Sequence, residues 1–155
     1  MPSLEFLSSG LVWAFVHIRS GDVFVLGADN GVAAFDTYGV AGTSFVSRYS
    51  SSGGRIWTVK DNTSVTINDI KADSAGNLYA IHSQGILYQK FNSSGSVVST
   101  VQDSAGGGNA LPTGIALDTS GNVFITGTSP NMFGDLTLFT KKYGPDGTQV
   151  WSSPK

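Results

Sequence analysis

The chain has 155 residues, 40% of them apolar and 13% charged, with a net charge of −2. That is the length of one domain, and it offers no basic face to neutralise phosphates, which argues against nucleic-acid binding. There is no cysteine, which excludes disulfides and thiolate metal sites, and no apolar run approaches the roughly 18 residues of a membrane span. Glu5 is the only Glu while Gly reaches 20. With the many Ser, Thr, Val and Phe, this is a composition for strands and turns, poor for helices.

Residues 1–12 read as an extension ahead of the first repeat. Phe6-Leu7-Ser8-Ser9-Gly10 resembles Tyr49-Ser50-Ser51-Ser52-Gly53, which leaves a partial blade over 2–13 as an alternative. Against it, the chain after Trp13 has almost no linker with which to cross from an outer strand to the next inner one. The apolar stretch 11–18 follows Glu5 rather than a basic segment, so it reads as a strand and no signal peptide is recognised. The first repeat, 13–59, predicts strands at 13–18, 23–26, 44–49 and 55–59. The second, 60–101, predicts strands at 66–73, 78–82, 86–91 and 97–101. The third, 102–155, predicts strands at 114–118, 123–126, 136–143 and 149–152. Short turns join them, such as Gly144-Pro145-Asp146-Gly147, whose residues suit a tight reversal.

The repeat itself is explicit. Gly21-Asp22-Val23-Phe24-Val25, Gly76-Asn77-Leu78-Tyr79-Ala80 and Gly121-Asn122-Val123-Phe124-Ile125 are one turn-then-strand unit written three times. Each is followed by a strand ending in a basic residue and an aromatic, namely Arg48-Tyr49, Lys90-Phe91 and Lys142-Tyr143. A turn glycine comes four residues later at Gly53, Gly95 and Gly147. A period of 42 to 55 residues matches one four-stranded propeller blade. The pattern Asp-x-x-Gly-Asn, then an aliphatic, an aromatic and Ile-Thr-Gly, continues after a loop into Phe-x-x-Lys-Tyr-x-x-x-Gly-x-x-x-Trp. It resembles the SBBP family of (seven-bladed) β-propeller repeats, most clearly over 112–152, well over 66–99 and more weakly over 13–57. The resemblance implies an all-β fold of three four-stranded antiparallel blades. It implies no chemistry, because such repeats occur as non-catalytic modules of extracellular and surface proteins.

Propellers close with roughly four to eight blades, so three blades are not expected to close within one chain. Covering two bare blade faces would bury on the order of 1,000–2,000 Å². At ~25 cal/mol per Å² of apolar area that is tens of kcal/mol gross. Self-association, or docking to other structural proteins of an assembly, is therefore expected. Two copies closing a six-bladed ring is the simplest symmetric form, and an isologous contact elsewhere is its competitor.

Variable loops on one rim of a rigid scaffold are where binding usually sits. Here they are 27–43, 58–65, 102–111 and 127–135. The candidate binding residues are Asp29, Asn30, Phe35, Asp36 and Tyr38 in the first of these, with Asn109, Asn131, Met132 and Phe133 in the later ones; the alternative is that the aromatics pack their own loops. Trp57 and Trp151 share one repeat position. They read as outer-strand aromatics packed on a neighbouring blade, with a sugar-stacking platform as the alternative. Asp73 and Asp118, beside Asn77 and Asn122, read as caps of their own turns. A calcium site wants six to eight oxygens, so no metal and no cofactor is expected. His17 and His82 lack a matched carboxylate, and no nucleophile elbow or phosphate loop appears around Gly106-Gly107-Gly108. Asn62-Thr63-Ser64 and Asn92-Ser93-Ser94 fit the glycosylation pattern, a common chance match in so Ser-rich a chain.

The sequence thus predicts a non-enzymatic structural or interaction protein. A chain opening at Met1 without a visible export signal, yet carrying the Ser/Thr/Gly-rich surface of an extracellular module, points to a virion component, a phage decoration or tail protein; the repeats loosely resemble ones in such proteins. The expected location is a virion or an extracellular surface. The alternative is a soluble module that recognises a glycan or a protein through the variable-loop face.

Overall fold

The computed structural model describes residues 10–17, 21–29, 44–60, 67–82, 86–102, 110–131 and 133–153, with the backbone alone for 10–17, 28–29 and 86–87. These residues form twelve strands. The first sheet is β1 (Gly10–His17), β2 (Val23–Asp29), β3 (Ser44–Tyr49) and β4 (Arg55–Lys60), in that order. The second is β5 (Ile67–Ala72), β6 (Leu78–His82), β7 (Ile86–Phe91) and β8 (Val97–Gln102). The third is β9 (Leu111–Leu117), β10 (Val123–Pro130), β11 (Leu136–Tyr143) and β12 (Gln149–Ser153). Each sheet is an antiparallel meander of four consecutive strands, which is the blade of a β-propeller. The all-β class and the three four-stranded blades follow the sequence expectation. By compactness the chain divides into two units, 1–67 and 68–155.

Two local expectations are corrected. β1 begins at Gly10 and pairs with β2 from Gly10↔Asp29 to His17↔Val23, slipping register at Trp13. Residues 10–13 therefore belong to the first strand of the first blade rather than to the outer strand of a partial one. The stretch 127–135, expected as one long loop, is four residues of strand, 127–130, and a five-residue turn. β10 continues to Pro130 and pairs with β11 without a slip from Val123↔Tyr143 to Pro130↔Leu136.

The reason is a turn template that recurs through the chain. At Asp73 the backbone N–H donates to the Asn77 carbonyl (3.0 Å) and Gly76 N–H donates back to the Asp73 carbonyl (3.1 Å). The same pair of bonds closes the turns that start at Ser50, Asn92, Asp118, Asn131 and Gly144. The fourth residue of each turn is a glycine with φ between 80° and 87°, a left-handed conformation that strains any L side chain. This is a type I turn closed by a glycine bulge, a standard hairpin connection. Asn131 to Asp135 is one more copy, so the chain reverses there in five residues.

In the second unit the second and third sheets pack face to face. Tyr79, Ile81 and Tyr88 meet Ile115, Val123 and Ile125, joined by Phe139 and Tyr143. Tyr88 and Tyr143 touch edge to face at 5.7 Å, a favoured aromatic geometry. Asn68 Nδ2 donates to the Pro112 carbonyl at 2.8 Å. In the first unit Phe24, Leu26 and Val46 are fully buried. Phe24 lies 5.6 Å from Trp57 and beneath the Arg48 guanidinium. Asp22 Oδ2 accepts from Arg48 Nη2 (2.7 Å) and Nε (3.1 Å), which fixes that cation over the ring.

Candidate functional site

The β10–β11 hairpin is the longest in the described structure, with eight residues in each strand. Side chains alternate along a strand. Phe139, Lys141 and Tyr143 are buried on the side toward the second sheet. Leu136, Leu138, Thr140 and Lys142 therefore project from the other face. Across the hairpin Thr140 faces Thr126 and Leu138 faces Thr128, whose other neighbour is Leu111 on β9. This face is open. Leu136 is 66% exposed, Leu138 74% and Leu111 40%, and Phe133 in the turn is 82% exposed.

Toward the base of the hairpin the same face sinks into a cavity of about 300 Å³, walled by Phe124 and the small residues Gly114, Ala116, Thr126 and Thr140. The second sheet explains why a hollow forms here. Its residues at the matching repeat positions are Asp69, Lys71, Ile81 and Tyr88, all larger, and Ile81 and Tyr88 are covered by the third sheet. Around the hollow Lys142 Nζ stands 5.2 Å from the Phe124 ring and Trp151 lies 6.3 Å from it. The surface is thus apolar along the hairpin, with one cation at its base and one carboxylate, Asp135, at its turn.

Of the residues singled out from the sequence, Asn30, Phe35, Asp36, Tyr38, Asn109 and Met132 lie outside the described residues. Asp29 ends β2 opposite Gly10. Asn131 and Phe133 share one turn. Asn131 Oδ1 accepts the N–H groups of Phe133 and Asp135, both at 2.9 Å, so its side chain holds the turn, and Phe133 is displayed at the tip. Leu111, Leu136 and Leu138 were missed. Their signal was present: Leu136, Leu138 and Phe139 put apolar residues on both faces of one strand, which one covered face does not require.

The other motifs resolve into structure. Asp73 Oδ1 accepts from the N–H groups of Ala75 and Asn77 (3.0 and 2.9 Å), and Asp118 does the same for Ser120 and Asn122 (both 2.9 Å). The Asn122 side chain also donates to Asp118 at 2.6 Å, and this bond, with the backbone donors and Lys142, lowers the Asp118 pKa. Asn92 Oδ1 likewise caps its own turn, accepting from the Ser94 and Ser96 N–H groups. The contacts seen for Trp57 and Trp151 are with the phenylalanine of their own sheet, Phe24 and Phe124. His82 is fully buried at the end of β6; the side chain of His17, and residues 62–64 and 106–108, are outside the described set. Tyr88 is pushed up to about 12, first by burial and then by Tyr79 and Asp146. Among the described residues no three His, Asp or Glu gather as a metal ion would need, and no helix is long and apolar enough to cross a membrane.

Comparison with known families addresses the repeat directly. Residues 105–131 match the SBBP family, a beta-propeller repeat. The SBBP match covers β9, the Asp118 turn and β10, the part of the chain where the sequence pattern is clearest; it concerns the repeat and not a number of blades. No curated protein matches the chain. Among solved structures the chain is similar to a protein of unknown function from Bacteroides caccae, with a TM-score of 0.58 and 11% identity. The likeness covers 94% of this chain and 46% of that one, so this chain spans less than half of its neighbour's length. At that identity the likeness shows the fold alone.

Proposed function

We propose that the protein is a non-enzymatic interaction module that works as part of a larger assembly. The observation that carries this reading is the open apolar face of the third sheet. Leu136 and Leu138 are 66% and 74% exposed on one face, and Phe133 is 82% exposed in the adjoining turn, on a scaffold whose turns are closed by their own hydrogen bonds. Exposed apolar patches of this kind mark protein–protein contacts. The polar groups on that face, Thr126, Thr128, Thr140 and Lys142, form no nucleophile–base pair, which supports binding over catalysis. A place in a virion or on an extracellular surface is the finer form of the proposal, and it rests on the Ser/Thr/Gly-rich composition.

The test is co-purification. Particles or complexes isolated from the native source should contain the protein in fixed stoichiometry. Recovery of the protein only as a free species, together with a positive glycan-array signal, would instead favour a carbohydrate-recognition module.

A further inference from the structure

We propose that the open face of the third sheet is covered by the same face of a second copy of this chain, in an antiparallel, two-fold pair centred near Leu138. The proposal rests on the interaction-module reading above and names the partner.

Area is the first argument. Leu111, Phe133, Leu136 and Leu138, with the exposed parts of Phe124 and Trp151, present on the order of 500 Å² of apolar surface, near the upper end of what monomers leave bare. Two such faces in contact bury about 1,000 Å² or more, the threshold of a specific interface. The second argument is charge. Asp135 closes the turn at one end of the hairpin, and Lys142 stands on this face at the other, seven positions away. At ~3.3 Å per residue these are about 23 Å apart, with Leu138 and Phe139 midway. An antiparallel pair brings each Asp135 end to the partner copy's Lys142 end; a parallel pair would bring like charges together. Shape is the third argument. With the axis at Leu138, the Leu136 of each copy falls over the hollow formed by Gly114, Ala116, Thr126 and Thr140 on the other, and the Phe133 turn reaches Phe124.

The face is also unsuited to being covered in the way the second sheet is. Blade stacking within the chain uses Ile81 and Tyr88, and the third sheet has Thr126 and Thr140 in their places. Its apolar surface has moved outward along the hairpin, where an antiparallel partner meets it.

The absence of cysteine in the chain makes the test clean. Leu138→Cys places one thiol on the proposed axis, and oxidation should convert most of the protein into a disulfide-linked dimer on a non-reducing gel. Val98→Cys, at a site 55% exposed on β8 and off this face, should not cross-link. A head-to-tail ring cannot pair position 138 with itself. By light scattering at tens of micromolar the wild type should be dimeric, and Leu136→Glu/Leu138→Glu should be monomeric with an unchanged β-sheet spectrum. Asp135→Lys and Lys142→Asp should each weaken the dimer about tenfold or more, and together restore it. A monomeric wild type overturns the pairing, as does a dimer indifferent to the glutamates or lacking the 138 cross-link. In any of those cases, loss of co-purification in the glutamate variant would leave the interaction-module reading standing with a different partner.

Discussion

Gly127→Ala is the sharpest single test of how the hairpin is joined to the rest of its sheet. Gly127 sits where β9 carries one extra residue: Thr126 pairs with Gly114, but Gly127 already pairs with Pro112. A Cβ added at Gly127 would collide with the Leu111 carbonyl oxygen and come within 2.7 Å of Pro112 Cα. Both obstacles are backbone, so no rotamer change relieves them, and ordinary carbon contact needs about 3.5 Å or more. β9 would have to move out by about an ångström, pulling Pro112 and Ala110 from their buried positions. Overpacking of this kind costs about 1–3 kcal/mol, and a backbone clash puts Gly127→Ala at the upper end, about 3 kcal/mol. For a chain of this length that lowers Tm by about 6–12 °C. Gly134→Ala is the matched control. It has φ +87° but nothing within 4 Å of the new methyl group, so it pays conformational strain alone, about 1–2 kcal/mol. Urea melts followed by circular dichroism measure both. If Gly127→Ala lies within 0.5 kcal/mol of wild type, or costs less than Gly134→Ala, the close approach of β9 and β10 is wrong.

Tyr88→Phe tests the interface between the second and third sheets. The hydroxyl is held neutral to about pH 12, whereas an unfolded tyrosine ionises near pH 10. Stability is therefore intact below about pH 10 and drains away as pH rises toward 12, by about 2–3 kcal/mol; Tyr88→Phe should remove that part of the alkaline loss in melts taken across the window. The sign is opposite for Asp118, whose pKa is lowered: its contribution is present above the ordinary carboxylate range and is lost as pH falls, so Asp118→Asn should flatten the acid limb of the same measurement. Trp57→Ala should cost ~3–5 kcal/mol, because Trp57 packs on the fully buried Phe24. Trp151→Ala, at a residue 40% exposed beside a Phe124 that is only partly buried, should cost less than half as much. A change in ligand binding at unaltered Tm for Trp57→Ala would support the platform reading instead.

Most of the architecture was legible because one turn-and-strand unit is written three times, and each copy carries its own stop signals. Asp73 and Asp118 announce their turns through the glycine three residues on, and the strands between follow from alternation. The expectation failed at 127–135, where length and polarity suggested a loop. The Asn131-x-x-Gly134 spacing there is the same as Asn92-x-x-Gly95, and reading it as that turn would have extended β10 to meet the whole of β11, which was placed correctly, and set the leucines of β11 on a paired strand. The start of β1 was misplaced for a different reason. Trp13 sits at a register slip, and a slip breaks the alternation by which strands are recognised. The open face had only an indirect signal, since a sequence shows which residues share a face but not whether that face is covered.

The outermost strands bear on how such a face can be used. In all three sheets the outer strand slips register at one repeat position, leaving Ile56, Val98 and Val150 without a partner across the ladder. All three are β-branched and 49–57% exposed. A bulge at that point bends the strand and interrupts the row of N–H and C=O groups that an approaching edge would need. Edge-to-edge pairing is the route by which β proteins grow into open-ended fibres, whereas a two-fold contact uses up its surface and stops. With the edges interrupted in every repeat and one sheet face left apolar, the two-fold pairing proposed above is the route these features favour. Straightening the bulge should therefore produce higher-order aggregates rather than a tighter dimer, and deletion of Val150, which restores a continuous β11–β12 ladder, is the variant in which sedimentation would show it.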